Sequence, residues 1–367
     1  MSRALRVLFI LPRGATDSSM IFVRRQAVAL GKEGVQVELF ELRSRTSLPE
    51  LVSEFRRYRA QLHRSHPDVV HAHFGTMTGL FAALGCGHRP LVVTYWGSDL
   101  NPPQKSAGVR ERVRSGIGRV LSQLTALRAA RTVCVSWELA SRLWWRRGNV
   151  SVMPGGVDTA VFFPETRESA RARLNARTGH DEIQHGWSQA DRVILFNAGH
   201  DPGIKRLDLA KEAVAEALRK LSGVRMEVMA GRVDPLTVPT LMNAADCLLV
   251  TSDSEGSPTV VQEAIACGLP VVSVPAGDVA ERLEGVYPSS IVARDAHALG
   301  DALVQVLKRG ERSNGSHKTH EFSTATIARR LRDIYSEVLG DSLAAEPSSP
   351  DSETAWNISR FSPSSRR

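Results

Sequence analysis

Short apolar runs alternate with amphipathic stretches along this chain, and the alternation starts over near residue 190. The first series places strands near 6–11, 35–42, 67–71, 91–94, 132–136 and 150–153, with helical spacing near 19–30, 48–64, 75–85 and 105–130. Continuously apolar strands that each lead into a helix imply parallel βαβ units covered on both faces. A second series opens at 192–197 and continues through a helix near 207–221 and strands near 225–229 and 247–251. The predicted fold is therefore α/β, with two successive doubly wound sheets, and 367 residues are enough for two separate cores. The join falls between Pro154 and about Ala190, where Gly155, Gly156 and Pro164 break the pattern ahead of a polar, irregular stretch. Near 323–339, Ile327, Leu331, Ile334, Tyr335 and Val338 recur at helical spacing. Ser, Pro and charged residues dominate the rest, so a disordered tail is expected over 341–367.

Composition excludes some functional classes. No apolar run approaches the roughly 18 residues of a membrane span. The run 7–11 behind Arg3 and Arg6 is too short for a secretion signal and reads as a buried first strand. Cys86, Cys134, Cys247 and Cys267 are scattered, which fits a reduced, cytoplasmic setting better than a disulfide framework. Charge is uneven: residues 1–150 hold 23 Lys and Arg against 10 Asp and Glu, within a chain whose overall formal charge is +8. Such asymmetry points to an anionic partner or to a solvated basic face.

Chemistry concentrates in Glu255-Gly256-Ser257-Pro258-Thr259-Val260-Val261-Gln262-Glu263. Ser257 before Pro258 predicts a helix start, with Ser capping free amides and Pro at the first helical position; Gly268 and Pro270 close the helix. A helix start after a parallel strand is a phosphate-binding position in an open α/β sheet. Two carboxylates there would repel phosphate, so Glu255 and Glu263 suit acceptance of hydrogen bonds from sugar hydroxyls on either side of it. The residues alone also allow a helix-dipole carboxylate at Glu255 and a solvent-facing Glu263.

The stretch from Asn243 to Leu283, with Ala245-Asp246, Glu255-Gly256-Ser257-Pro258, Glu263-Ala264 and Gly268-Leu269-Pro270-Val271-Val272, resembles family 4 of the retaining glycosyltransferases. Pro67-Asp68-Val69-Val70-His71-Ala72-His73, Gly97-Ser98-Asp99, Pro154-Gly155-Gly156-Val157-Asp158, Lys205-Arg206 and the segment 322–339 extend the likeness over nearly everything but the tail. The resemblance implies the GT-B architecture: two facing Rossmann-like domains over 1–163 and 164–322, with a helix over 323–340 returning to the first. It implies a UDP- or GDP-sugar donor, no cofactor, no catalytic metal, and a glycan or lipid-linked acceptor in cell-surface polysaccharide synthesis. Glu263 would hold the ribose, Glu255 would lie beside the transferred hexose, and the amides near Gly256, Ser257 and Pro258 would meet the diphosphate. Lys205 would neutralise the charge that grows on the leaving nucleoside diphosphate.

Two positions depart from the family pattern. The Arg expected five residues before Lys205 is His200, leaving Arg206 or a protonated His200 to complete the phosphate clamp. The His expected before Gly97-Ser98-Asp99 is Trp96, which could stack on a sugar or pack as a loop aromatic. A catalytically impaired donor-binding or scaffold protein is the alternative these departures raise. On the acceptor side, Gly14 and Ala15 would let backbone approach the cleft. His71 and His73 have metal-ligand spacing but lack a third ligand, so strand-end packing or acceptor contact is expected. Clusters at 56–59, 110–114 and 144–147 supply the basic excess and suggest peripheral contact with an anionic membrane at its inner face. No nucleic-acid motif accompanies the charge.

Overall fold

The computed structural model describes residues 3–14, 20–44, 47–103, 108–145, 147–176, 186–199, 202–231 and 233–340. In the first domain, strands β1 (Arg6–Pro12), β2 (Gln36–Leu42), β3 (Val69–His73), β4 (Leu91–Tyr95), β5 (Arg131–Cys134) and β6 (Val150–Val152) form one sheet. Their order is β2-β1-β3-β4-β5-β6, and every neighbouring pair is parallel. β3 and β4 are buried along their whole length, as strands covered by helices on both faces must be.

The second sheet contains β7 (Arg192–Gly199), β8 (Val224–Ala230), β9 (Cys247–Val250), β10 (Val271–Ser273) and β11 (Ser290–Ile291), again all parallel. Its order, β11-β10-β9-β7-β8, reverses direction beside β7 and β9. Ligands of open α/β sheets bind beyond the carboxyl ends of strands at such a reversal. The loops that follow β7 and β9 carry Lys205 and Glu255.

The join is more ordered than its composition implies. Helix Arg167–Ala176 interrupts the stretch expected to be irregular, and Trp187 just beyond it enters the second core. Arg171 fixes this helix while fully buried: it donates to the Ala244 and Ser188 carbonyls and to Asp246 Oδ2 at 2.8 Å. Asp246 also accepts the Val193 amide at 2.7 Å and pairs with Arg167 at 3.1 Å, which is how a buried ion pair meets its desolvation cost.

The chain crosses between domains twice at one place. Val157 pairs with Ser323 in a parallel bridge, and Val157 and Thr324 exchange backbone hydrogen bonds with the neighbouring crossing. Helix Thr324–Leu339 then packs on the first domain, where Ile327, Leu331, Ile334 and Tyr335 join Val7, Phe9, Val23 and Leu30 in one core. Tyr335 Oη lies 2.6 Å from His71 Nδ1, and Arg131 pairs with Glu337 at 2.6 Å.

Candidate active site between the two domains

The facing edges of the two sheets meet at glycines. Gly256 follows β9 and Gly97 follows β4, so the carboxyl ends of both sheets point at one contact. A methyl group placed on Gly256 would lie 2.2 Å from the Trp96 carbonyl oxygen and 2.9 Å from Val135 Cγ2, so only glycine fits there. On the opposite side Gly277, with φ +55°, leaves equally little room beside the Gly256 carbonyl. Asn101 ties the domains by donating to Ser254 Oγ at 2.8 Å and to the Glu255 carbonyl at 3.3 Å, while Arg142 donates to Asn101 Oδ1.

Within this contact Lys205 Nζ donates to Glu255 Oε1 at 2.5 Å. Lys205 ends the short helix Pro202–Lys205 after β7, and Thr251 holds its carbonyl through Oγ1 at 2.7 Å. Arg294 secures the other side of the loop by donating to the Thr251 and Ser252 carbonyls at 2.7 and 2.6 Å. Arg294 lies outside the segments singled out in the sequence, Thr251 falls within one but with no role assigned to it, and no local pattern announces either contact.

The helix after Gly256 differs from its sequence expectation. It spans Thr259–Ala266, eight residues, with Pro258 at the cap position and not the first helical one, and with no side-chain cap. Ser257 does not cap it: Ser257 Oγ donates to Asp278 Oδ2 at 2.8 Å and accepts from Gln262 Nε2 at 2.9 Å. Asp278 competes successfully for this hydroxyl because it is a buried carboxylate whose other charged partner is Arg282, at 2.8 Å. Burial pushes the Asp278 carboxyl up, against the pull of Arg282 and the Ser257 hydroxyl.

Glu263 sits in the second turn of this helix and is half-buried rather than solvent-facing. Burial pushes its carboxyl up to about 7, opposed by the attraction of Arg25, which belongs to helix Ile21–Lys32 of the first domain. Arg206 is committed elsewhere: in a left-handed conformation (φ +56°), it pairs with Asp208 at 2.9 Å and Asp253 at 3.2 Å, which hold its guanidinium above the usual Arg range. Asp253 also receives Arg294 at 3.2 Å, so the acidic Asp253-Ser254-Glu255 run is consumed by cations. Among the described residues no three His, Cys, Asp or Glu side chains are placed to hold a metal ion. His200 and Ala15 lie outside the described residues.

On the first domain's side, Gly14 follows β1 at the same sheet edge as His73 and Trp96. Trp96 is packed among protein groups: its ring lies 4.4 Å from Phe22, edge-on, and 6.0 Å from His73, stacked. Asp99 accepts the Trp96 amide at 2.6 Å, and burial raises its carboxyl to about 7 against several backbone N–H donors. His71 and His73 do share one face of β3, with rings stacked 4.4 Å apart, but their environments diverge. His71 hydrogen-bonds Tyr335 Oη and, through Nε2, Thr94 Oγ1 at 2.7 Å, and burial pulls it down to about 3, so it is a neutral strut. His73 is equally buried and both its ring nitrogens lack a hydrogen-bond partner.

Comparison with known proteins agrees with this architecture. Residues 15–161 match the family described as Glycosyltransferase Family 4, and residues 181–309 match Glycosyl transferases group 1. The chain belongs to the family 4 glycosyltransferases of GT-B fold. TuaC of Bacillus subtilis, named as a teichuronic acid biosynthesis glycosyltransferase, is 27% identical over 256 residues, or 65% of this chain; the match spans 61% of TuaC. Among solved structures, sucrose-phosphate synthase from Thermosynechococcus elongatus superposes with a TM-score of 0.71 at 17% identity, covering 92% of this chain and all of that one. Anabaena HepE in complex with UDP-glucose superposes with a TM-score of 0.68 at 16% identity, covering 91% of this chain and all of HepE.

Proposed function

We propose that this protein transfers a hexose from a nucleoside-diphosphate sugar to a lipid-linked or glycan acceptor at a membrane surface, with retention of anomeric configuration. The observation that carries this reading is the Lys205–Glu255 ion pair beside the Gly256 approach, with Glu263 five residues into the following helix. The amides at the start of that helix favour diphosphate oxygens, and the ribose hydroxyls are assigned to Glu263. Glu255 and Lys205 flank the bond to be broken. In the step itself, the C1–O bond to the diphosphate breaks while the acceptor oxygen bonds C1 on the same face, and the acceptor's proton passes to the departing phosphate oxygen. Lys205 offsets the charge growing on that phosphate, and no protein nucleophile takes part. HepE's complex with UDP-glucose supports a UDP-sugar as the first donor to try.

A thermal-shift series with UDP- and GDP-sugars, followed by transfer and donor-hydrolysis assays across acceptors, tests the reading. A donor that stabilises the protein and is turned over supports it. Trp96, packed where the family places a His, motivates the second reading of a donor-binding protein without turnover. Donor binding with neither transfer nor hydrolysis decides for that alternative.

A further inference from the structure

Helix Val109–Arg128 of the first domain is inside out. Its packed face carries Ser122, Gln123, Thr125 and Ala126, whereas Val109, Val113, Ile117, Val120, Leu124 and Leu127 are between 44% and 78% exposed. At about 100° per residue, the six apolar side chains fall within about 80° of arc, opposite Ser122, Thr125 and Ala126. The inward polar groups are satisfied: Thr125 Oγ1 donates to the Gly75 carbonyl at 2.8 Å, Ser122 Oγ to Gly118 at 2.9 Å, and Gln123 Nε2 to Arg142 at 3.0 Å. A continuous apolar stripe of this length on a soluble domain marks a surface that something covers.

Charge selects the occupant. On the same helical geometry Arg110, Arg114 and Arg128 border the stripe on one side and Arg112 and Arg119 on the other, with Glu111 the only acid in the helix. A second copy would set arginine rows against each other, so self-association through this stripe is disfavoured. An anionic bilayer takes apolar side chains at its acyl boundary and arginines at its head groups, the arrangement of an amphipathic helix lying in the interface. Trp144, 52% exposed, stands beside the helix because its amide donates to Gln123 Oε1 at 3.0 Å, and Trp is favoured at that depth.

We infer that helix Val109–Arg128 lies in the surface of an anionic bilayer, with the stripe from Val109 to Leu127 facing the acyl chains. This deepens the functional reading above by naming the surface that brings the acceptor side of the enzyme to a lipid-linked substrate. The test is sedimentation of the full chain with vesicles of phosphatidylcholine alone or mixed equally with phosphatidylglycerol. Wild type is expected on the mixed vesicles at low salt and to be released by high salt. Reversing two bordering charges, Arg110→Glu with Arg114→Glu, is expected to weaken binding by at least about thirtyfold. Ile117→Glu with Leu124→Glu should abolish it. These positions are exposed, so melting temperature and the nucleotide-sugar thermal shift should match wild type. Equal partitioning of wild type onto both vesicle types, or undiminished binding by the Ile117/Leu124 variant, overturns the inference. A wild-type dimer by light scattering that the Ile117/Leu124 variant loses, without vesicle binding, assigns the stripe to a protein partner instead. Failure of the donor thermal shift is a separate result and bears on the functional reading alone.

Discussion

Lys205 Nζ and Glu255 Oε1 stand 2.5 Å apart, so the cation proposed above to meet the leaving phosphate already has a carboxylate partner. A diphosphate must share or displace that carboxylate. Glu255→Gln removes the competitor, so UDP is expected to bind several-fold tighter while turnover of the intact sugar donor falls. Lys205→Ala is expected to lower kcat by about 10²–10³-fold, the usual effect of deleting one donor aimed at developing charge. Calorimetric UDP titration and steady-state kinetics of both variants measure this; weaker UDP binding by Glu255→Gln contradicts the arrangement.

Burial shifts the Glu263 carboxyl toward neutral pH. Its carboxyl is raised to about 7 from an ordinary value of 4.5, so the folded, unliganded protein holds a proton that the unfolded chain releases. The resulting stabilisation is present below about 4.5 and is lost as pH rises through 7. In the proposed ribose contact the hydroxyls would donate to the ionised carboxylate, so nucleotide affinity should rise from pH 6 to pH 8. Glu263→Gln should weaken binding and flatten that profile. A wild-type affinity constant across this range would exclude Glu263 as the titrating contact.

The stacked histidines of β3 make opposite predictions. His71→Phe strands the Tyr335 and Thr94 hydroxyls and should destabilise the fold by about 1–3 kcal/mol. His73→Phe deletes two buried nitrogens that have no partner, so it should leave the melting temperature unchanged or raise it. If His73 contacts the acceptor, that variant is stable yet slower. Scanning calorimetry beside an activity assay reads both.

Gly256→Ala probes the contact between domains. The added methyl cannot coexist with the Trp96 carbonyl at 2.2 Å, and relieving it by strain with the contact intact costs about 1–3 kcal/mol. The expected response is separation of the domains, seen as a larger radius of gyration in small-angle scattering and a smaller donor-induced thermal shift. An unchanged scattering profile would mean that the loop yields instead.

The long alternating segments were legible because strand and helix periods differ so clearly there, and the restart at Arg192 exposed the second sheet. Three-residue β10 and two-residue β11 are too short to show a period. Helix Arg167–Ala176 was hidden by its own polarity: Arg171 reads as a surface residue until Asp246, 75 positions away, is placed against it. Glu255 and Glu263 stood out by their place around a helix start and Lys205 by the family resemblance, and the structure brings Lys205 against Glu255, but local rules misassigned Ser257. The buried Asp278, distant in sequence, claimed a hydroxyl that the helix would otherwise have used. Side chains whose partners lie far along the chain are the ones a sequence pattern describes least well.

The paired crossing at Val157 and Ser323 bears on how the molecule opens. Two neighbouring chain segments, joined by the Val157–Phe322 and Thr324–Val157 backbone bonds, put both covalent links between the domains at one point, so any change in their relative orientation is anchored there. The pairing of Trp96 with Gly256 across the domain contact is thus set by one shared anchor and not by two separate linkers.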